Sequence, residues 1–219
     1  MKIIKIIKPS VEFITPMNQE IVLKRLEVCG RTCYKSEHLI GEGTAEKFVR
    51  NLIKRGHTSV LEHCSFTVRF IVDRGVSHEL VRHRIASYSQ ESTRYCNYTN
   101  EKFGSEITFI EPFYLEPGTK PYETWKDACS DAEDAYFALL EWGCTPQEAR
   151  AVLPNSLKTE LVMTADITEW RNVLRQRCSK AAHPQMREVM MQLLEMLHTE
   201  MPVLFDDIWE EAVRGEKEE

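Results

Sequence analysis

The chain has 219 residues, 42% of them hydrophobic, which suits one domain with a substantial core and is too long for a peptide module. Lys and Arg number 28 against 34 Asp and Glu, so the formal net charge of -6 excludes a general nucleic-acid binder and confines any anion site to a local cluster. Seven scattered cysteines form no CxxC pair, which argues against a disulfide framework or a zinc knuckle; the opening MKIIKIIKPSVEF is broken by Lys2, Lys5 and Lys8, unlike a signal peptide or membrane span. The expectation is a cytoplasmic protein with reduced thiols, among them Cys29 and Cys33 as buried groups near a helix end.

Lys2 to Ile7 and Val11 to Ile14, separated by Pro9, read as short strands, and Gln19 to Cys29 reads as a helix preceded by Asn18. Thr44 is placed to cap a helix whose apolar positions Ala45, Phe48, Val49, Leu52 and Ile53 repeat at helical spacing up to Gly56. From Ser65 to Val72, Phe66, Val68, Phe70 and Val72 alternate with more polar residues as in a strand with one wet face. Ser77 is then placed to cap a helix running to about Ile85. Residues 97 to 121 are rich in Gly and Pro around one strand, Ile107 to Ile110.

A helix is expected from Tyr122 to Trp142, burying Trp125, Cys129, Ala132, Tyr136 and Leu139. Thr145-Pro146-Gln147-Glu148 has capping-box spacing and starts a short helix that presents Arg150. Leu157 to Ala165 reads as a strand, followed by a helix capped by Thr168 or Asp166 and ending near Arg177. Met186, Val189, Met190, Leu193, Leu194 and Leu197 stripe a long helix entered at Pro184, and Val203 to Val213 forms the last one. Helices outnumber strands without strict alternation, so the class is α+β: a single catalytic domain over 1–213, with 214–219 a disordered tail.

VRHRIASYSQESTRY, from Val81 to Tyr95, concentrates the chemistry. On a helix, consecutive side chains project about 100° apart, so Arg82, His83 and Arg84 cannot share a face there. The bland account is that cations near a helix C-terminus are favoured by its dipole. Beyond them, Ser92 and Thr93 offer hydroxyls and Arg94 a planar fork, a set suited to phosphate, with Gln90 and Glu91 able to read polar edges of a sugar, base or cofactor. A nucleotide monophosphate fits that set. No GxGxxG or GxxxxGK[ST] loop accompanies it, and His57, Glu62 and His63 do not form a metal-ligand pattern, so no metal is expected.

Arg82-His83-Arg84, seven residues and then Ser92 resembles the signature of the flavin-dependent thymidylate synthases. GHTSVLEH upstream, ARAVLP at 149–154 and Arg177 followed by AAHPQMR continue the likeness over roughly residues 25 to 190. The resemblance implies a central, mainly antiparallel sheet flanked by helices, and reductive methylation of dUMP at C5 to dTMP. Methylenetetrahydrofolate would give the carbon and NADPH the reducing equivalents through bound FAD, with no attacking enzyme cysteine. It further implies a homotetramer with active sites built from several copies, binding dUMP and folate but neither nucleic acid nor membrane.

By the same resemblance, Arg82, His83 and Arg84 with Ser59 hold FAD, Gln90 lies between flavin and nucleotide, and His57 steadies the flavin or the folate. Glu79, Leu80, Val81, Arg82, Gln90, Glu91, Ser92, Thr93, Arg94, Arg150 and Arg177 surround dUMP, with Arg177 the cation that favours the pyrimidine anion. Cys96 is then a bystander thiol despite its neighbouring cations. In TADITEW, Asp166 and Thr168 replace the Asn and Arg that face the adenine-nucleotide half of FAD, with Asn172 a further cofactor residue. Glu79 and Thr93 stand where Gln and Gly are commoner. Asp166 and Thr168 alone hint at a second alternative, a nucleotide-binding regulator of the same fold that keeps the phosphate cradle but has lost flavin chemistry, and a structural helical protein with a fortuitous RHR is the third.

Overall fold

The computed structural model describes residues 4–94 and 106–217. Its strands are β1 (Lys5–Ile7), β2 (Ser10–Phe13), β3 (Ser65–Asp73), β4 (Ser87–Gln90), β5 (Thr108–Ile110) and β6 (Lys158–Asp166). Its helices are α1 (Gln19–Thr32), α2 (Thr44–Lys54), α3 (Arg74–Leu80), α4 (Lys120–Glu141), α5 (Pro146–Ala149), α6 (Ile167–Arg177), α7 (Pro184–Glu200) and α8 (Pro202–Lys217). One antiparallel sheet has the order β2-β3-β6-β4 and is flanked by helices, while β1 pairs in parallel with β5, Lys5 opposite Thr108. The α+β class is the one expected.

The two long strands follow their residue alternation. In β3, Phe66, Val68, Phe70 and Val72 are buried, and in β6, Thr159, Leu161, Met163 and Ala165 are. Each then passes into a helix with no intervening residue, and the last strand residue is an Asp that caps it. Asp73 accepts the Val76 N–H at 2.8 Å and Asp166 accepts the Glu169 N–H at 2.8 Å, both from extended backbone, as capping requires.

The chain divides into two compact units. The first comprises Met1–Ser10, Phe70–Arg82 and Ser89–Val162; Ile4, Ile107, Phe109, Cys129, Tyr136, Ala149 and Leu157 form a core in it, against which Trp125 and Leu139 pack. The second comprises Val11–Arg69, His83–Tyr88 and Met163–Glu219, with Leu26, Val49, Leu61, Phe66, Trp170 and Phe205 buried in it. There Arg171, 2% exposed, pairs with Asp207 and donates to the Leu204 carbonyl, tying α6 to α8. Burial raises the Asp207 pKa, but the hydrogen bond and charge of Arg171 with the charge of Arg175 outweigh it and hold that carboxyl below its ordinary value.

Several boundaries differ from expectation for local reasons. α1 runs on through Gly30 to Thr32, because this glycine is a packing site: a Cβ there would meet the Phe48 ring of α2 at 2.6 Å. Cys33 is exposed rather than buried, since it lies past the helix end. Thr44 is the first residue of α2 rather than its cap; its hydroxyl donates to Glu27 at 2.9 Å while Gly43, at φ 72°, turns the chain in. α8 continues past Val213, with Arg214 donating to Glu210 at 2.6 Å in an i,i+4 pair. Within α4, Glu133 occupies the core at 2% exposure, where its carboxylate accepts the Ile107 N–H at 2.8 Å.

Candidate functional site

The helix expected to carry Arg82, His83 and Arg84 stops before them. Asp73, not Ser77, caps α3, and Ser77 is fully buried with its hydroxyl donating to the Arg74 carbonyl at 2.9 Å. α3 therefore ends at Leu80, and the three residues follow in an irregular segment, where the helical 100° spacing no longer applies. Leu80 is a fully buried core residue, whereas Val81, Arg82 and Arg84 are exposed and His83 is buried.

In the first unit, Gln90 at the end of β4 is held by two hydroxyls: its amide N donates to Ser77 at 2.9 Å and to Thr159 at 3.3 Å. Glu91 accepts the Lys158 ammonium at 3.1 Å and the Glu160 N–H at 3.2 Å. Burial lowers the Lys158 pKa, but its hydrogen bonds to Glu160 and Glu91 outweigh that and keep it above the ordinary lysine value. Thr93 is buried and accepts from an Arg150 N–H at 3.0 Å. Both line a cleft of about 350 Å³ with Arg74, His78 and Asn155. One terminal nitrogen of Arg74 is buried without a hydrogen-bond partner among the described residues, which suits an anionic ligand. Ser92 accepts the Arg94 N–H at 3.3 Å, and the Arg94 residue is exposed.

In the second unit, Arg177 ends α6 and its Nε–H donates to His83 Nε2 at 3.0 Å. The other ring nitrogen, Nδ1, lies 3.5 Å from Glu169 Oε1. Tyr88 donates its hydroxyl to the His83 carbonyl at 2.7 Å; burial, with the Glu169 charge adding to it, pushes the phenol up to about 12. Asp166 is spent on capping α6. Thr168 donates to the Thr58 carbonyl at 2.7 Å, while Asn172 donates to Glu169 at 3.2 Å and accepts from Gln176 at 2.9 Å. His57 and Ser59 are exposed at the start of a 3₁₀ turn, and Glu79 in the first unit is half-buried. Cys96 lies outside the described residues.

Residues 18–203 match the family model for thymidylate synthase complementing protein. A flavin-dependent thymidylate synthase from Geobacter sulfurreducens is 32% identical over 187 residues, covering 82% of this chain and 79% of its own length. One from Corynebacterium aurimucosum is 34% identical over 194 residues, covering 83% and 78%. The chain belongs to the flavin-dependent thymidylate synthase family. Among solved structures, the UMP/dUMP methylase PolB from Streptomyces cacaoi, bound with 5-Br dUMP, superposes with a TM-score of 0.74 over 93% of this chain and 96% of its own. At 22% identity that likeness establishes the fold.

Membership in the flavin-dependent thymidylate synthases implies FAD, with NADPH and methylenetetrahydrofolate as co-substrates. The residues fit a diphosphate-bearing cofactor: Arg84 and the Ser59 hydroxyl, both in the second unit, are exposed donors of the kind a diphosphate accepts from. Asp166 does not oppose this, because its carboxylate is turned to the positive end of α6. Asp166→Ala is therefore expected to cost about 1 kcal/mol of stability in a thermal melt, with Asp166→Asn recovering most of it because Asn caps equally well. Equal losses in the two variants would show that charge rather than capping is at stake. Sequence patterns did not single out Arg74, Tyr88, Lys158 or Glu169; the one signal that could have found any of them is the alternation along β6, which sets Lys158 off the buried face.

Proposed function

We propose that the chain catalyses the reductive methylation of dUMP at C5 to dTMP, with methylenetetrahydrofolate as carbon donor and NADPH as reductant through FAD. The family match over residues 18–203 carries this reading, since it encloses every residue assigned a ligand below. FAD, when bound, supplies the hydride chemistry, and Arg82, Arg84 and Ser59 would hold it. Thr93, Arg94 and Arg150 bind the dUMP phosphate, with Ser92 completing the donor set; the Arg150–Thr93 hydrogen bond and the unpartnered Arg74 nitrogen support an anion in that cleft.

Arg177 places a fixed positive charge beside N3 and O2 of the pyrimidine, where it stabilises the anion that makes C5 nucleophilic. No thiol is called upon. Burial pushes the thiols of Cys129 to about 11 and Cys178 to about 12, which leaves both protonated and poorly nucleophilic at neutral pH. The working form is a homotetramer in the cytoplasm, in which copies share active sites. Among the described residues no helix is long and apolar enough to cross a membrane.

The test is anaerobic. Purified protein is expected to be yellow, to bleach on adding NADPH, and to form dTMP once dUMP and methylenetetrahydrofolate follow; dUMP at 100 times its Kd should add roughly 2.7 kcal/mol of stability. A colourless protein that is stabilised by dUMP yet makes no dTMP would replace the enzyme with a nucleotide-binding regulator. Absence of any dUMP effect would remove both.

A further inference from the structure

We propose that Glu169 is a positioning residue for Arg177, acting through the imidazole of His83. This rests on the reading of Arg177 as the cation that favours the pyrimidine anion. An arginine Nε always carries its proton and can only donate. At 3.0 Å from it, His83 Nε2 must therefore present a lone pair, which puts the ring proton on Nδ1. Nδ1 faces Glu169 Oε1 at 3.5 Å, at the outer edge of hydrogen-bonding distance, in a setting where His83 and Glu169 side chains are 6% and 8% exposed.

Further contacts fix this arrangement from behind. Tyr88 grips the His83 carbonyl at 2.7 Å, so the histidine backbone does not drift. Asn172 donates to Glu169 Oε2 at 3.2 Å and is itself oriented by Gln176, which leaves Oε1 turned to the ring. Were the imidazole proton on Nε2 instead, two N–H groups would point at each other and the contact with Arg177 would be lost. The location of one proton thus decides where a long, rotamer-rich guanidinium is aimed before any ligand arrives.

The prediction separates positioning from mere stability. Glu169→Ala should lower kcat roughly 10- to 100-fold, with the KM for dUMP changed by less than about twofold, because geometry rather than affinity is lost. Glu169→Gln, whose amide oxygen still accepts from Nδ1–H, should recover kcat to within about fivefold of the starting enzyme. In unsubstituted holoenzyme labelled with ¹⁵N-histidine, Nε2 of His83 should resonate as the unprotonated nitrogen; this readout does not depend on any variant folding. A protonated Nε2 there, or Glu169→Ala turning over within about twofold of the original while Arg177→Ala is impaired, overturns the proposal. Should Arg177→Ala itself run at the original rate, it is the underlying role of Arg177 that fails.

Discussion

Arg177→Ala is expected to cut kcat for dTMP formation by about 10²- to 10³-fold, the size seen when one preorganised electrostatic donor is removed, while dUMP affinity falls much less. The asymmetry follows from where charge develops. The phosphate of dUMP is anionic both before and during reaction, so the donors proposed for it, such as Arg150, would bind ground and transition states alike. Negative charge on the pyrimidine ring grows only as C5 becomes nucleophilic, and a cation placed there acts chiefly on the barrier. Arg177→Lys should not restore the rate, because lysine retains the charge but loses the Nε–H that docks on His83. Single-turnover assays alongside dUMP titration measure both quantities, and an unimpaired Arg177→Ala enzyme would end the assignment.

Trp170→Ala should produce the largest loss of stability, about 3–5 kcal/mol, equivalent to a fall in Tm on the order of 10 °C. Trp170 is fully buried and its ring stacks on Phe66 at 5.0 Å with 12° between planes. Phe66 in turn meets Phe13 at 6.0 Å and Phe205 at 6.3 Å, both edge-on, so truncation opens a void at the centre of an aromatic cluster. The indole N–H also donates to the Phe66 carbonyl at 3.1 Å, which seats α6 on β3. Trp170→Phe keeps most of the ring volume and loses that bond, so its expected cost is about 1–2 kcal/mol. Equal melting curves for Trp170→Ala and the original chain would show that the cluster relaxes without penalty.

The sheet strands β3 and β6 and the stripe of α7 were legible in the sequence because one buried face imposes a strict period on each. β4 was not: Ser-Tyr-Ser-Gln has no apolar alternation, and the strand exists through its place beside β6 in the sheet. The position of Arg82, His83 and Arg84 was misjudged because Ser77 has the side chain of a cap, whereas Asp73 stands at the strand end and does the capping. Glu133 escaped notice because a buried carboxylate is intelligible only with its partner, the Ile107 N–H. Of the site, the cations and hydroxyls from Arg82 to Arg94 could be picked out as a dense local set. Glu169 could not, since its meaning lies in a histidine from a distant part of the chain.

The junction at Asp166 acts as a gauge. With no loop between β6 and α6 to absorb a length change, α6 delivers Arg177 at a distance and azimuth from Asp166 set by residue count alone. One residue inserted between Asp166 and Arg177 would carry the guanidinium about 1.5 Å along the axis and swing it about 100° around. Engineers seeking altered variants of this chain have latitude in the surface turns, and none in the residue count between Asp166 and Arg177.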